Sequence, residues 1–309
     1  MVKKIKFYNN FKISNIHKNS ILLVGNFDGL HLGHQKLFKL AKKYKKKFNL
    51  KIGVITFEPM PKMYFNKKLT NFRISNTLQK IKILEKLGSD FVITKKFDKK
   101  FSRMKSYSFI KEILYKKLNA KYIFVSNNFR FGHKREGNVN ELINNEKRYK
   151  YKIIKPKPLK LKNKIISSTL IRKLLSNGKI EFVNKLLNRN WSIYGKVEKG
   201  RQLGKKIGFP TCNLNINDYA VAKPGVYAVK IYQKNRNFPL RGIANLGYRP
   251  TFNQKKILLE VHIFNFNENL YNKYLTIELI NFIRKEKKFK NINQLKKQIN
   301  LDLKIAKKK

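Results

Sequence analysis

Across the first half of the chain, short apolar runs alternate with longer stretches patterned for helix, and this alternation restricts the fold more than any other feature. Ile21-Leu22-Leu23-Val24 gives way to a helical pattern over 34–48, then to Ile52-Gly53-Val54-Ile55-Thr56-Phe57. A helical stretch at 78–87, the run Phe91-Val92-Ile93-Thr94, a helical stretch at 107–118 and Tyr122-Ile123-Phe124-Val125 continue it. A parallel sheet covered by helices on both faces buries such runs. In these sheets ligands sit beyond the carboxyl ends of the strands, so chemistry is expected just after each run. Past a helix ending near Leu187 the texture changes. Alternating stretches at 226–232, 258–264 and 274–279, separated by Gly, Pro and Asn, predict a small antiparallel β-barrel closed by a helix over about 292–306. The chain reads as two unlike folds in tandem, divided near 186–191, with no internal repeat.

Composition excludes several classes. A chain of 309 residues that is 42% hydrophobic and 13% aromatic has the material for buried cores, so disorder is excluded as its overall state. The single cysteine, Cys212, can make neither an internal disulfide nor a cysteine zinc site, and reads as a small packing residue. The net charge of +55 raises the question of nucleic acid, but only 12 of the 72 basic residues are Arg. Lys lacks the bidentate fork that reads bases and phosphates, and here it is spread along the whole chain beside abundant Asn, Ile and Phe. A low-GC genome accounts for that bias, leaving loose, unspecific attraction for polyanions. The lysines of 42–47 and 307–309 read as a solvated helix face and a frayed tail. No run approaches the roughly 18–20 apolar residues of a membrane span, and the first residues lack a secretory signal, so a cytoplasmic protein is expected.

Directly after the first apolar run stands Gly25-Asn26-Phe27-Asp28-Gly29-Leu30-His31-Leu32-Gly33-His34. Glycines at 25, 29 and 33 permit tight turns and close backbone approach, and the helix beginning near His34 aims free N–H groups at whatever binds there. Two imidazoles three residues apart can converge on one phosphoryl oxygen and donate hydrogen bonds as its charge develops. Further along, Ser167-Ser168-Thr169 precede a helix that they can cap, and Arg172 lies one turn in, where it can neutralise phosphate.

The segment from Gly25 to His34 resembles the H-x-G-H signature of the nucleotidylyltransferase superfamily, in the version found in prokaryotic FAD synthetases. Three other stretches fit that family: Thr56-Phe57-Glu58-Pro59; Asn127-Asn128-Phe129-Arg130-Phe131-Gly132 with Arg135 and Gly137; and Ile166-Ser167-Ser168-Thr169-Leu170-Ile171-Arg172. The resemblance implies a Rossmann-like sheet that binds ATP through Gly25, Phe27, Asp28, Gly33, Ser168, Thr169 and Arg172. It also implies that His31 and His34 contact the phosphates and that Asn128 binds flavin or nucleotide. The implied reaction is attack by the phosphate of FMN on the α-phosphorus of ATP, chemistry that needs positioning and charge neutralisation more than a nucleophilic side chain. Met60 stands where relatives commonly carry histidine, and Ser126 where glycine is frequent.

The β-rich half opens with Gly200-Arg201-Gln202-Leu203-Gly204-Lys205-Lys206-Ile207-Gly208-Phe209-Pro210-Thr211-Cys212-Asn213. A glycine- and lysine-rich loop offers backbone N–H groups to phosphates, and the hydroxyl of Thr211 and amide oxygen of Asn213 suit Mg2+, which takes few protein ligands and completes its octahedron with phosphate and water. This half resembles bacterial riboflavin kinases through Gly208 to Asn213, Pro224-Gly225-Val226-Tyr227, Gly242-Ile243-Ala244-Asn245-Leu246-Gly247-Tyr248-Arg249-Pro250-Thr251-Phe252, Glu260-Val261-His262, Leu270-Tyr271 and Phe282-Ile283-Arg284. The resemblance makes Glu260 the base, Gly204, Lys205 and Gly208 phosphate-binding, Thr211 and Asn213 metal ligands and Arg284 flavin-binding. A carboxylate in the apolar run 258–264 is costly unless it has a partner or a task. It could deprotonate the ribityl hydroxyl of riboflavin as that oxygen attacks the γ-phosphate. Lys205, Cys212, Asn265 and Asn272 depart from residues common in the family.

The expectation is thus a bifunctional enzyme using Mg2+ with ATP: an FMN adenylyltransferase domain, 1–187, and a riboflavin kinase domain, 188–309. Riboflavin, FMN and ATP are its partners, without specific nucleic acid, membrane or obligatory protein partner. The alternatives are a chain that keeps one of the two activities and a polycationic nucleic-acid-binding protein.

Overall fold

The structure is a computed structural model and describes residues 5–200, 204, 207–234, 236–250 and 255–308. These group into two compact units, Met1–Leu69 with Thr77–Ile166, and Thr70–Asn76 with Ser167–Lys309.

The first unit is built on six parallel strands, β1 (Lys6–Tyr8), β2 (Ile21–Val24), β3 (Ile52–Glu58), β4 (Phe91–Lys96), β5 (Tyr122–Phe124) and β6 (Lys152–Ile154), in the order β1-β4-β3-β2-β5-β6. Because side chains alternate along a strand, Leu22 and Val24 enter one apolar cluster with Ile55 and Ile93. Ile21 and Leu23 enter another with Ile52, Val54 and Val92. Both faces are therefore buried, as near-continuous apolar strands require. Helix α1 (Leu32–Phe48) contributes Leu37, Phe38 and Ala41 to the second cluster, and its lysines lie on the opposite side. Helix α2 (Thr77–Lys86) follows β3, and a wide-turned helix α3 (Phe109–Lys117) presents Phe109, Ile110, Ile113 and Leu114 to the first cluster.

In the second unit α4 (Ser168–Ser176) and α5 (Ile180–Leu187) precede a closed antiparallel barrel. Its strands are β7 (Trp191–Glu198), β8 (Cys212–Asn215), β9 (Gly225–Gln233), β10 (Leu240–Pro250), β11 (Lys255–Ile263) and β12 (Tyr274–Lys285), and the order around the barrel is β7-β8-β11-β10-β9-β12. Helix α6 (Ile292–Lys307) packs Ile299, Leu303 and Ala306 on Val226, Ala228 and Ile243, on the barrel's outer face. The segment 70–76 joins this unit by backbone bonds: Asn71 N–H donates to Asn217 O at 2.9 Å and Ala220 N–H to Arg73 O at 2.6 Å. Among the described residues no helix is long and apolar enough to cross a membrane.

Candidate functional sites

In the first unit the site begins where β2 ends. Gly25 N–H still donates to Ile55 O at 3.0 Å, and the chain then turns away through three left-handed residues, Phe27 (φ 48°), Gly29 (φ 77°) and Leu30 (φ 43°). The two with side chains hold conformations that cost roughly 1–3 kcal/mol each, offset here by complete burial of both. Phe27 packs edge-on against His34 at 5.2 Å and Phe38 at 5.8 Å, which ties the turn to α1.

His31 caps α1 and His34 lies in its first turn, and their rings stack at 3.8 Å with an interplanar angle of 20°. The glycine between them is required: a Cβ on Gly33 would stand 3.1 Å from the His31 ring and 3.2 Å from the Ile166 carbonyl oxygen. Gly29 serves through its φ and Gly33 through close approach. Gly25 does neither, since a Cβ there would meet only the Phe27 ring at ordinary contact distance, 3.5 Å, so the expectation that all three glycines shape the turn is corrected to two. Burial, then the charges of His31 and Lys80, hold the His34 imidazole well below the usual pKa of 6.5. At neutral pH it is an uncharged hydrogen-bond donor, not a cation. Its Nδ1 is buried and has no hydrogen-bond partner among the described residues. Asp28 is buried in the same turn.

Sequence reasoning missed Lys80. Its ammonium donates to the Thr56 hydroxyl at 3.4 Å, and that hydroxyl donates to the Asn26 carbonyl at 3.3 Å. The available signal was spacing: Lys80 and Leu84 share the buried stripe of α2. Asn128 lies exposed in the turn after β5, accepting from the Ser126 hydroxyl at 3.0 Å. Met60 is buried and offers no polar group.

The expected phosphate residues of α4 fall in the second unit. Ser167 is the cap, its hydroxyl accepting from Leu170 N–H at 3.2 Å, so Ser168 and Thr169 occupy the first turn. Arg172 donates through Nε to Phe72 O at 2.8 Å and lies over the Phe72 ring at 3.6 Å, fixed on the segment 70–76.

Around the barrel, register sets one polar row. Asn213 pairs with Glu260, Glu260 with Asn245, Asn245 with Val226, and Val226 with Arg284. Directly opposed residues share a face, and the neighbouring row, Val197, Leu214, Leu259 and Leu246, fills the interior. Glu260 therefore sits half-buried on the outer face, where the alternation keeps its carboxylate out of the apolar interior. Asn213 is 7% exposed, and its Oδ1 is buried without a hydrogen-bond partner among the described residues. A Cβ on Gly200 would overlap the Asn213 amide, and one on Gly204 would overlap the Phe209 carbonyl and stand 3.4 Å from the Thr211 hydroxyl. Gly200 thus approaches Asn213, and Gly204 approaches Phe209 and Thr211, too closely for a side chain. Gly208 takes φ 89° with open space around its Cα, and Lys205 lies outside the described residues.

An orphaned amide oxygen beside a hydroxyl is the donor chemistry a hard cation accepts, so Thr211 and Asn213 fit Mg2+. Asn245, opposite Glu260, belongs to this row although sequence reasoning gave it no role. Arg284, expected at the flavin, donates through Nε and Nη2 to the Asp302 carboxylate on α6 at 2.7–3.0 Å, and through Nη1 to Lys285 O at 3.0 Å. Burial pushes the Cys212 thiol up to about 12, consistent with a packing role.

Comparison with known proteins also divides the chain in two. A family model described as FAD synthetase matches residues 13–170, and one described as riboflavin kinase matches 187–309. A bifunctional riboflavin kinase/FMN adenylyltransferase of Buchnera aphidicola subsp. Schizaphis graminum is 43% identical, over 99% of this chain and 98% of its own length. The chain belongs to the bifunctional riboflavin kinase/FMN adenylyltransferase family. The Escherichia coli K12 member is 34% identical over 91% of this chain and 90% of its own. A crystal structure from Streptococcus pneumoniae, described as a macrolide-efflux protein, superimposes with a TM-score of 0.87 at 28% identity, covering 97% of this chain and 98% of that one.

Proposed function

We propose that the two family activities divide at 187/188, adenylyl transfer on the N-terminal side and phosphoryl transfer on the C-terminal side. The barrel unit transfers the γ-phosphoryl group of ATP to riboflavin and yields FMN. The parallel-sheet unit transfers the AMP moiety of ATP to FMN, giving FAD and pyrophosphate. The observation that carries this reading is that each unit holds its own cluster for handling phosphate charge: the stacked His31 and His34 in one, the row Asn213, Glu260 and Asn245 in the other. The 187/188 division is functional rather than one of packing, since α4 and α5 group with the barrel.

In the kinase reaction the Glu260 carboxylate accepts the proton of the ribityl hydroxyl while its oxygen attacks the γ-phosphorus and ADP leaves. Mg2+, held by the Thr211 hydroxyl and the Asn213 amide oxygen, supplies charge neutralisation on the phosphates. Backbone N–H groups of the loop through Gly204, Lys205 and Gly208 receive the phosphates, and Arg284 serves the flavin side by anchoring α6.

In adenylyl transfer an FMN phosphate oxygen attacks the α-phosphorus, and the pyrophosphate that leaves carries the electron pair. His31 and the neutral His34 donate hydrogen bonds to the phosphates from a turn fixed by Gly29 and Gly33. Phe27 and Asp28 frame that turn, and Asn128 contacts nucleotide or flavin. Small molecules are the partners of this cytoplasmic enzyme, and its dispersed lysines only raise the local concentration of anions.

Chromatography of flavins after incubation with riboflavin, ATP and Mg2+ tests the reading. FMN and then FAD are expected. Absence of FMN would refute the kinase assignment, and FMN without FAD would refute the adenylyltransferase assignment.

A further inference from the structure

Lys80 is the only lysine among the described residues that is buried, at 2% exposure. Placing an ammonium inside a protein is costly, and a lysine filling space on a helix is readily replaced by an apolar residue, so a buried one calls for a task. Its surroundings define that task. Helix α2 is fastened to the end of β3, where the Thr77 hydroxyl donates to the Glu58 carboxylate at 3.2 Å. One turn further on, the Lys80 ammonium donates to the Thr56 hydroxyl at 3.4 Å. The same hydroxyl donates to the Asn26 carbonyl at 3.3 Å, so Thr56 is both acceptor and donor. Asn26 precedes Phe27, the first left-handed residue of the turn that delivers His31 and His34. The chain Lys80, Thr56, Asn26 therefore crosses from one strand end to the next at the place where that turn leaves the sheet. Lys80 is also close enough for His34 to feel its charge.

We propose that Lys80 is a positioning residue of the adenylyl-transfer site, holding the Asn26 carbonyl through Thr56 and so fixing the turn that sets the two imidazoles. The inference rests on reading this unit as the adenylyltransferase. A turn with two non-glycine left-handed residues stores strain and relaxes when its tie is cut, which displaces the imidazoles from the phosphates. A displacement near 1 Å costs on the order of 100-fold in rate, mostly in kcat, because ground-state binding tolerates it better than the transition state does.

The experiment measures kcat and KM for FAD formation from FMN and ATP in the full chain and in Lys80→Met, Lys80→Arg, Thr56→Val and the Lys80→Met/Thr56→Val double variant. Lys80→Met is expected to lose about 100-fold in kcat with KM values changed less than about threefold, and Lys80→Arg to recover part of the loss. The double variant should be no worse than Lys80→Met, because both substitutions cut one chain. Retention of kcat within about threefold in Lys80→Met, or losses that multiply in the double variant, would overturn the inference. Should Lys80→Met fail to fold by circular dichroism, Thr56→Val carries the test alone: it leaves the charge in place, and a kcat loss of tenfold or more supports the chain, whereas an unchanged kcat overturns it. No FAD from the unsubstituted protein would instead refute the underlying reading of the unit, and the inference with it.

Discussion

A buried carboxylate, Asp302, pairs the C-terminal helix with the barrel, and its removal gives a measurable test of how the second unit is held together. Asp302 is 1% exposed and accepts from Arg284 Nε at 2.9 and 3.0 Å, from Arg284 Nη2 at 2.7 Å and from Gln298 Nε2 at 3.0 Å. Asp302→Asn keeps the shape but removes the charge and presents an N–H2 group to a guanidinium that only donates. Removing one partner of a buried ion pair costs about 3–5 kcal/mol. The Arg284 side chain is 21% exposed, so water regains part of its solvation and about 2–3 kcal/mol is the expected loss.

The chain carries its own reporter of that loss. Trp191 is the sole tryptophan, is 1% exposed in β7, and donates through Nε1 to Ile74 O at 2.8 Å, within the same unit as α6. Its fluorescence in urea follows this unit alone, which sidesteps the failure of two-state analysis for a two-unit chain. With a slope of about 2 kcal/mol/M, the midpoint should fall by about 1–1.5 M. Helix α6 covers Val226, which stands in the polar row between Asn245 and Arg284, so FMN formation should weaken while conversion of supplied FMN to FAD persists. A midpoint shift under about 0.3 M would refute the claim that this pair anchors the helix.

Glu260→Gln should abolish FMN formation and leave FAD formation from supplied FMN intact, and His31→Ala should do the reverse; loss of both activities in either variant, read by chromatography, contradicts independent sites. Gly33→Ala places a Cβ 3.1 Å from the His31 ring and should lower FAD formation about tenfold with the kinase rate unchanged, so full activity would deny that the glycine sets the ring. The lowered pKa of His34 fixes the sign of a pH effect. Below about pH 6.5 the unfolded chain takes up a proton that the folded state refuses, so stability of the first unit falls as pH drops from 6.5 toward the folded-state value. Proton NMR of the five histidines, with His34→Gln for assignment, should show His34 titrating below 6.5, and a midpoint at or above 6.5 would refute the effect assigned to its burial.

The architecture was legible because its cause is local. Strands buried on both faces must be nearly continuous apolar runs, as 21–24 is and 52–57 is but for Thr56, and a helix over such a sheet must show a 3.6-residue stripe, as α1 does. The strands β1 and β6 escaped notice for the opposite reason: three residues each and carrying lysine, they owe their pairing to the edges they meet. The segment 70–76 joins the barrel unit through backbone bonds to 217–220, non-local contacts that leave no mark on composition. Among site residues, the histidines were visible because five His in 309 make two within four positions conspicuous. Lys80 was hidden for the same arithmetic reversed, since lysine is everywhere in this chain. The role of Asn245 exists only in the register that sets it opposite Glu260.

That contrast between exposed and buried charge bears on how one fuel molecule is cleaved at two different phosphorus atoms. Exposed lysines on flexible stems attract ATP over a screening length of about 8 Å at physiological ionic strength, and a field so diffuse cannot distinguish the α- from the γ-phosphorus. The selection must come from groups that cannot move. In the first unit these are two stacked rings, one of them neutral and buried at Nδ1, seated on a turn whose strain is countered by Phe27, Leu30 and the tie through Thr56. In the second they are oxygens and amides locked by strand register around Glu260, the carboxylate proposed to take a proton from the attacking hydroxyl. The incoming phosphate of FMN arrives already ionised and needs no base, whereas the hydroxyl of riboflavin does. On the proposed assignment a carboxylate base therefore belongs with phosphoryl transfer, whereas adenylyl transfer needs no base and relies on hydrogen-bond donors and charge neutralisation.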